Sequence, residues 1–467
     1  MRKLLFMLFI GGIVVAYNGC SGGTGTGGPL TEEKEPGSLD TTWATNGKLV
    51  QQLPSTIYVQ NEGGGLAIAV QSTQKIVVGG GDSGNAILVR HNQDGSVDTT
   101  FATSGKLTFG NHCGGYFGIS SLAIDSSDRI LATAFACHGI ALIRITADGA
   151  IDTSFNASGA HPGFIYEDPS PNSTANNILY GGKRIGVNIV TGNNILVSTT
   201  SFGPDGGDII FYRYDSDGDD DAAFGTAGSV MRDLGRNSED ILADIKIAAD
   251  GRIVIVGWNE DSGDADFMVA RFMSDGSLDP SFGSGGAVFD YYGSTFMPPA
   301  QDGTAQYLHG LALNSDNSVV VTGNIHAAGT STEFVVAKYE SDGDVDTTFG
   351  DQGYYRTTLI TVETGERVHI QSDGKIIVSG RIGPNFATSS ELFVTRLSAD
   401  GALDTSFGAS GVTLVTPPDS QSEIFEFSHD LTVQSDGRIL VLSALDTPAN
   451  NPPSNRVHGY IVGRLWP

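Results

Sequence analysis

Hydrophobic residues occur along the chain in short runs that are separated by polar turns. Residues 68–70, 76–79, 86–90 and 106–109 form one set of four such runs, rich in Val and Ile, and the pair Asp-Gly commonly stands between neighbouring runs. Runs of this kind, bounded by tight-turn residues, are typical of β-strands joined as hairpins. Residues 240–249 have a spacing that resembles a helix, but their position in the series predicts a strand. The pattern therefore predicts an all-β protein.

The runs belong to a longer repeat. The segment Gly-Ser-Leu-Asp-Thr-Thr-Trp at 37–43 returns along the chain, and successive copies are 54 to 69 residues apart. The aspartates that mark the seven copies are Asp40, Asp98, Asp152, Asp221, Asp279, Asp346 and Asp404. A repeat of this length indicates an array or a propeller, and four strands per repeat are typical of propeller blades. We predict a seven-bladed β-propeller of four-stranded antiparallel blades.

The repeat motif resembles that of the delta-60 repeat, a bacterial β-propeller family with the signature Gly-Ser-Leu-Asp-x-Ser-Phe-Gly. Residues 276–283 and 401–408 match this signature closely, and residues 218–225 match it least well. The resemblance covers about residues 37–465. It implies the propeller fold but no reaction, because the family is defined by its repeat and location.

The order of the runs predicts how the ring closes. The chain of the propeller begins with a lone first strand at 48–50 and ends with a fourth strand at 460–465. The regular link between fourth and first strands indicates that the first strand of each repeat is the outermost strand of the preceding blade. We therefore expect the N-terminal strand to pair with 460–465 and to close the ring.

Loop lengths distinguish two faces of the predicted disc. The basic residue that ends each fourth strand, such as Arg90, is followed eight residues later by the repeat aspartate, here Asp98. The other loops, between first and second and between third and fourth strands, vary widely in length. We call the side with the regular links the constant face and the other side the variable face. Insertions in repeat proteins map to the binding face, so we predict ligand binding on the variable face.

The repeated charges of the constant face are interpreted as structural. An Arg and an Asp that recur in every repeat are expected to form ion pairs, with the repeat Phe packed between blades. Residues 215–219 imitate the start of a calcium-binding loop, but Thr226 stands where such a loop carries a Glu. The turn also recurs in repeats without the extra acids, which favours the structural interpretation.

The first twenty residues form a targeting segment. Arg2 and Lys3 precede an apolar run at 4–16, and Cys20 is followed by a Gly- and Thr-rich stretch. This resembles a bacterial lipoprotein signal, which implies that Cys20 is lipidated and that the protein is anchored in the cell envelope, at the outer membrane or cell surface. Cleavage after Ala16, with a secreted or periplasmic protein, is the alternative. The predicted segments are a signal peptide at 1–19, a flexible tether at 20–36 and the propeller at 37–467.

The composition narrows the classes of partner. The 467 residues carry 26 Lys+Arg against 53 Asp+Glu, a formal net charge of −27. Phosphates would be repelled over the whole surface, which argues against nucleic acid as the natural partner. Three cysteines are too few for a fold built on disulfides. The expected partners are the membrane, through the N-terminal lipid, and an extracytoplasmic protein or glycan bound by a monomer.

Cys113 and Cys137 lie in two loops of the second repeat, both on the variable face. The strands between them form a hairpin that brings the two loops close together, and a location outside the cytoplasm favours a disulfide. Free thiols, or a zinc site with the flanking His112 and His138, are the alternatives.

One position near the start of each second strand, which this phasing makes the innermost strand, carries candidate ligand-binding residues. In three consecutive repeats this position holds His309, Glu366 and His429. The next residue is charged in two of these repeats, as Arg367 and Asp430, and in an earlier repeat, as Asp244. Inner strands converge at the mouth of a propeller, so these side chains are candidates for one axial ligand site. His309, Glu366 and His429 are also candidate ligands of a divalent metal ion. Solvated loop-edge residues that only share a register are the alternative.

Together these patterns predict a non-catalytic ligand-binding or interaction module, displayed on the bacterial envelope, that binds a protein, peptide or glycan on its variable face. The aromatic residues predicted for its loops are Phe117, Tyr166, Trp258, Tyr291, Tyr292 and Phe386. Exposed rings would suit sugar or protein contacts, whereas buried ones would serve loop packing. The alternative is a hydrolase or lyase at the propeller axis, where two His and one carboxylate would act as acid–base groups.

Overall fold

A computed structural model describes residues 9–10, 13–14, 35–52, 66–82, 84–110, 117–136, 139–169, 185–203, 206–235, 239–261, 264–290, 305–326, 332–357, 363–385, 389–416, 428–446 and 458–467. Within these ranges the protein is built of β-strands that pair antiparallel, apart from one parallel contact between Ala265 and Ala305, and it has a short 3₁₀ turn at Thr191–Asn193. No helix of the described residues has the length and hydropathy that a membrane span requires. The prediction of an all-β fold is confirmed.

The strands are arranged mainly in antiparallel groups of four. A separate two-stranded hairpin consists of β1 (Phe9–Ile10) and β2 (Ile13–Val14). The next strand in the chain is β3 (Lys48–Gln52). The first three groups are β4 (Ala67–Val70), β5 (Ile76–Asp82), β6 (Asn85–His91) and β7 (Lys106–Gly110); β8 (Phe117–Ile124), β9 (Ile130–Ala136), β10 (Gly139–Ile145) and β11 (Phe164–Glu167); and β12 (Gly186–Ile189), β13 (Ile195–Gly203), β14 (Gly206–Tyr214) and β15 (Ser229–Arg232).

The groups that follow have the same order. They are β16 (Glu239–Ile247), β17 (Ile253–Asp261), β18 (Asp264–Phe272) and β19 (Ala287–Asp290); β20 (Ala305–Leu313), β21 (Val319–His326), β22 (Thr332–Tyr339) and β23 (Tyr354–Thr357); and β24 (Glu363–Ile370), β25 (Ile376–Asn385), β26 (Ser389–Leu397) and β27 (Val412–Val415). The last group is β28 (Ser428–Val433), β29 (Ile439–Asp446), β30 (His458–Leu465) and β3. The stretch with helix-like spacing forms β16, so the prediction of a strand there is confirmed.

The first strands of the groups form the centre of the molecule. Each of them, from β4 to β28, lies against the first strand of the next group, and β28 lies against β4. We call these the inner strands. Apolar side chains fill the spaces between neighbouring groups, as where Ile68 and Val78 pack with Leu440 and Val462. Sheets that stand side by side around their inner strands give the fold its propeller-like form.

The N-terminal segment is built into the last group. β3 pairs antiparallel with β30 over residues 48–52. The main-chain N–H of Gly408 donates a hydrogen bond of 2.7 Å to the carbonyl of Pro36. The equivalent bond elsewhere joins Gly350 N–H to the Asp400 carbonyl, also at 2.7 Å. Residues before β3 therefore take the place of a repeat turn on the constant face.

The constant face carries the same contacts in successive repeats. Arg271 Nε lies 2.8 Å from Asp279 Oδ2, and the guanidinium lies 4.7 Å from the centre of the Phe282 ring. Its Nη1 donates to the main-chain carbonyl of Ser341 in the following repeat. Ion pairs of 2.6–2.9 Å occupy the corresponding places at Arg90–Asp98, Arg144–Asp152, Arg213–Asp221, Lys338–Asp346, Arg396–Asp404 and Arg464–Asp40. The structural interpretation of these charges is confirmed.

Gly276 shows why the repeat motif begins with glycine. Its φ of +85° lies in the region that L-residues rarely adopt. A Cβ at this position would also lie 2.9 Å from the ring of Phe224, which belongs to the preceding repeat. The glycine therefore lets the turn of one repeat close over the aromatic ring of its neighbour.

Candidate functional site

The inner strands share an irregularity at one position. In β8, β16, β20, β24 and β28, the pairing with the second strand of the group skips one residue, which forms a β-bulge. The skipped residues, which we call the bulge positions, are Ser120, Ala243, His309, Glu366 and His429. Bulges redirect side chains and occur preferentially next to functional sites. They fall on the position that the sequence singled out, but that position lies in the middle of strands such as β16 and β20 and not near their start, because these strands begin earlier than predicted.

Two neighbouring bulge residues form polar pairs within their own groups. His309 Nε2 lies 2.7 Å from Asn324 Oδ1. Glu366 Oε1 lies 3.5 Å from Arg381 Nε and accepts a hydrogen bond of 3.2 Å from Thr364 Oγ1. Asn324 and Arg381 occupy equivalent positions, five residues after the start of β21 and β25. The bulge residue and the side chain opposite it thus make one polar unit in each of two adjacent groups.

The two polar units lie side by side. Arg367 Nη1 donates to the main-chain carbonyl of His309 at 3.4 Å, which links β24 to β20. A Cβ on Gly310 would lie 2.9 Å from the Glu366 carbonyl oxygen, so the strands approach as closely as glycine permits. Glu366 and Arg367 are only 5% and 6% exposed. Polar groups buried to this extent need hydrogen-bond partners, and these contacts provide them for Glu366 Oε1 and Arg367 Nη1.

An aromatic cluster adjoins His309. The Tyr307 and His309 rings are stacked, with centroids 6.5 Å apart and planes 22° apart. Trp258 meets both rings closer to edge-on, at 5.2 Å and 6.2 Å. Trp258 is buried against Ile241 and Ala243, whereas Tyr307 and His309 are half-buried. The cluster has a buried base and two partly exposed rings.

Tyr307 was missed by the sequence reasoning, which looked for aromatic residues in loops. It lies on β20, two residues before the bulge residue His309. An aromatic residue at that distance from the bulge position was the signal that could have found it. Burial raises the pKa of the Tyr307 hydroxyl, and the Glu260 carboxylate raises it further. The hydroxyl therefore keeps its proton at neutral pH and acts as a donor.

The carboxylates of Asp244 and Asp430 join neighbouring inner strands. Asp244 Oδ2 accepts a hydrogen bond of 3.1 Å from the main-chain N–H of Leu311. Asp430 Oδ2 accepts one of 3.0 Å from the N–H of Ile68. Asp430 Oδ1 also lies 3.8 Å from Arg367 Nε. Through these contacts the two carboxylates connect neighbouring inner strands beside the bulge positions.

The predicted metal ligands are only partly described. His429 lies on β28, and its side chain is outside the described residues. Among the side chains that are described, no group of three His, Cys, Asp or Glu could hold a metal ion. His309 and Glu366 are both engaged, by Asn324 and Arg381. A cation at Glu366 would have to displace the guanidinium.

The remaining predicted residues divide into two sets. Phe117 is fully buried in the core, so it is not a surface contact, and Tyr166 is half-buried and stacked on Phe164 at 6.0 Å. Outside the described residues lie Cys20, Cys113, Cys137, Tyr291, Tyr292 and Phe386.

Comparison with known proteins agrees with this architecture. A family model described as a domain of unknown function (DUF5122) beta-propeller matches residues 71–101, 248–282, 314–349 and 371–407. The chain is a β-propeller repeat protein. Each matched segment ends at the aromatic residue of a repeat motif, so the model follows the same period as the constant-face contacts. No curated protein matches the sequence.

Solved structures of similar shape have little sequence in common with the chain. The polysaccharide lyase Uly1 is 12% identical, with a TM-score of 0.50 over 92% of this chain and 93% of that one. Virginiamycin B lyase from Staphylococcus aureus is 11% identical, with a TM-score of 0.42 over 88% and 99%. Drosophila Semaphorin 1b is 10% identical, with a TM-score of 0.44 over 89% and 87%. At these identities the likeness concerns the fold alone.

Proposed function

We propose that the protein is a non-catalytic binding module, displayed on the bacterial envelope, that holds a protein, peptide or glycan where the bulge positions meet the variable face. One observation carries the proposal. The bulge recurs at the same backbone position, but its side chain changes from Ser120 to His309 to Glu366. An asymmetric ligand needs different side chains on a common frame, whereas a structural contact would repeat its residues, as the constant face does.

The proposal includes seven blades in a ring that the N-terminal strand closes. The pairing of β3 with β30 and the contact of β28 with β4 support it. In a closed ring the inner strands converge on one axis, which is the geometry that brings residues of separate repeats to one mouth.

Display on the envelope depends on Cys20, which we propose is lipidated. The first described residues of the propeller are held on the constant face, where Gly37 N–H donates to the Trp466 carbonyl at 2.9 Å. A flexible Gly-rich chain of about 15 residues has an r.m.s. span of about 22 Å. A nine-residue strand such as β17 is about 30 Å long, so this tether does not readily carry the lipid round to the other face. The variable face would then point away from the membrane.

Mass analysis of the membrane-bound protein tests this anchor. We expect a mature chain that begins at Cys20 and carries a diacylglyceryl group, and a Cys20→Ser variant that is released into the soluble fraction. A chain that begins at Tyr17 without lipid would contradict the proposal and favour secretion.

We also propose a disulfide between Cys113 and Cys137. Phe117 and Ala136 are partners across β8 and β9, so the segments that carry the two cysteines leave the same end of one strand pair. Mass analysis without reduction decides: two internal thiols that can be alkylated in the native protein would contradict the disulfide.

A hydrolase or lyase at the same mouth is the second candidate. The likeness in fold to a polysaccharide lyase favours it, together with two neighbouring acid–base groups, His309 and Glu366. The contacts of these groups favour binding instead, because Asn324 and Arg381 already engage them. A divalent metal at His309, Glu366 and His429 belongs to this candidate, and elemental analysis of a His309→Ala, His429→Ala variant tests it.

Affinity capture from solubilised bacterial envelope fractions tests the proposed function. The bait proteins are the wild type, a His309→Ala, Asn324→Ala variant, and Asp400→Asn on the constant face as control. We expect a protein or glycan that the wild type and the control capture and the double variant does not, with no turnover of envelope glycans or peptides. Equal capture by a correctly folded double variant would contradict the site, and turnover that depends on His309 would replace the binding module by the enzyme.

A further inference from the structure

We infer that the ligand of this mouth is a neutral carbohydrate, and that Tyr307, His309 and Arg381, which the buried Glu366 positions, hold one of its sugar rings. The inference rests on the proposed binding function and names the ligand class. We call the side chains of Tyr307, His309, Asn324, Glu366 and Arg381, with the charged residues beside them, the wall of the mouth. Three independent features of this wall support the inference: its charge, its hydrogen-bonding groups and its aromatic rings.

Most of the charge of the wall is balanced. Ion pairs stand near the bulge positions, Glu366 with Arg381 at 3.5 Å, Asp430 with Arg367 at 3.8 Å and Asp244 with Lys246 at 3.0 Å, while the Glu260 carboxylate adds negative charge beside Tyr307. The rest of the protein accounts for a net charge of −27, so an anionic polymer would be repelled on its approach. A cationic ligand would need carboxylates whose charge is not already compensated. A neutral ligand is not repelled by the net negative charge and does not need an uncompensated carboxylate.

The wall presents donors and acceptors next to one another. Arg381 Nε, beside the Glu366 carboxylate, also lies 3.3 Å from Thr364 Oγ1, and Asn324 holds the His309 ring at 2.7 Å. A hydroxyl both donates and accepts, so neighbouring hydroxyls of a sugar match neighbouring donors and acceptors. Side chains that are already held in place lose little conformational freedom on binding. Planar, oriented polar groups of this kind favour a polyhydroxylated ligand over an apolar one.

The aromatic rings provide the complementary surface. A sugar ring has a face of C–H groups that packs on an aromatic ring, and the Tyr307 and His309 rings are stacked with 22° between their planes. Trp258, only 8% exposed, supports both rings from their edges. The Tyr307 hydroxyl keeps its proton and adds a donor at the end of this surface. The wall therefore combines an apolar platform with polar groups beside it.

The platform occupies one side of the mouth. At the position that corresponds to the bulge, the groups of β4 and β12 carry Leu66 and Ile185, which are buried in the core. The polar and aromatic side chains come instead from β20, β24 and the second strands beside them. A ligand with one recognised sugar ring fits this asymmetry better than a ligand that would contact the whole circumference.

Native affinity electrophoresis tests the inference. The wild type is run in gels that contain neutral glucan, mannan, galactan or xylan, with alginate as the acidic polymer. Tyr307→Leu and Glu366→Gln change the platform and the polar pair, and Tyr355→Leu, a half-buried tyrosine of β23, is the matched control. We expect at least one neutral polysaccharide to retard the wild type and the control, with a Kd at least tenfold higher for the two site variants.

Three outcomes overturn the inference: no retardation of the wild type in any neutral gel, retardation by alginate alone, or equal retardation of the wild type and both site variants. If Tyr307→Leu does not fold, Glu366→Gln decides the result. Capture of a protein that depends on His309, without retardation in neutral gels, overturns the carbohydrate class and leaves the binding module standing. If nothing is captured through His309 either, both proposals fail.

Discussion

The constant face and the bulge positions both recur along the chain, but the constant face repeats its side-chain contacts, whereas the bulge positions repeat only their backbone geometry. On the constant face, a basic residue, an aspartate and an aromatic ring recur in the same contact, as at Arg271, Asp279 and Phe282. At the bulge positions the backbone geometry recurs while the side chain changes, for example from Ser120 to His309. A residue that recurs marks a contact on which the repeats depend. A geometry that recurs with changing residues marks a surface that is free to serve a ligand.

The energetics of burial explain this difference. A buried ion pair needs both of its partners, because the removal of one leaves a buried charge without compensation. Every repeat that uses this contact therefore needs the same pair. The bulge residues lie in the interior of strands such as β16 and β20, but the strand pairing skips them, so a new side chain there replaces no cross-strand partner. Exchange at such positions costs little stability.

We call the contact between residues 37–52 and the last group of strands the seam. The largest expected effect on stability is that of removing it. Deletion of residues 37–52 removes β3, the buried Trp43 and the Asp40–Arg464 pair. We expect the free energy of unfolding to fall by more than about 5 kcal/mol, from lost apolar burial and an unpaired Arg464. Thermal unfolding measures it, with deletion of 21–34 as the control that keeps the seam. Unchanged unfolding after deletion of 37–52 would contradict a structural role for this segment.

Asp279→Ala tests the ion pairs directly. Burial acts to raise the pKa of Asp279, but hydrogen bonds from Ser281 and the charge of Arg271 outweigh it and hold the pKa below its usual value. Loss of this carboxylate leaves Arg271 buried and unpaired, so we expect about 3–5 kcal/mol less stability in urea unfolding. Asp275→Ala, in the same turn but exposed, should cost about 1 kcal/mol or less. If the two variants lose equal stability, the repeated ion pair contributes no more to folding than the exposed residues around it.

A contact between the first and the last group of strands also predicts that stability depends on pH. His91 is buried at the end of β6, and its Nε2 lies 2.8 Å from the Tyr460 hydroxyl of the last group. Burial lowers the pKa of His91 from 6.5 to about 4. Between these values the unfolded chain binds a proton that the folded chain does not, so this contribution is fully present above pH 6.5 and is lost as the pH falls to 4. We expect it to amount to about 3 kcal/mol.

Urea unfolding at a series of pH values measures this contribution. A His91→Gln variant should show a shallower loss of stability between pH 6.5 and 4 than the wild type. If both chains lose stability in parallel, His91 is not the group responsible.

The smallest effect on stability is expected at the bulge positions. His309→Ala removes the bond to the buried Asn324 but leaves no buried charge, so the free energy of unfolding should fall by about 1–2 kcal/mol. Asp400→Asn, exposed on the constant face, is the control and should change neither stability nor ligand capture. A loss for His309→Ala as large as that for Asp279→Ala would place the bulge residues among the structural contacts. Urea unfolding beside the capture assay makes the comparison.

Part of the site was predictable from the sequence. The shared position of His309 and Glu366 follows from the repeat alone, and β16 was predicted as a strand from its place in the period. Their partners Asn324 and Arg381 were not predicted, because they lie on the neighbouring strand and their pairing depends on the bulge. Phe117 shows the opposite error, since its predicted loop position gave no sign that its ring is buried in the core.

The sequence by itself determined what is periodic: the strands, the turn residues and ion pairs such as Arg271 with Asp279, which are eight residues apart. These contacts depend on short separations and recur with the period, so their residues stand in a recognisable pattern. Only the tertiary structure decided which side chains meet at the mouth. A bulge adds one residue to a strand and changes the direction of the side chains around it, and no residue type marks it. Tyr307, His309 and Glu366 come together because two inner strands approach at Gly310, which is a property of the packed ring of strands and not of any one segment.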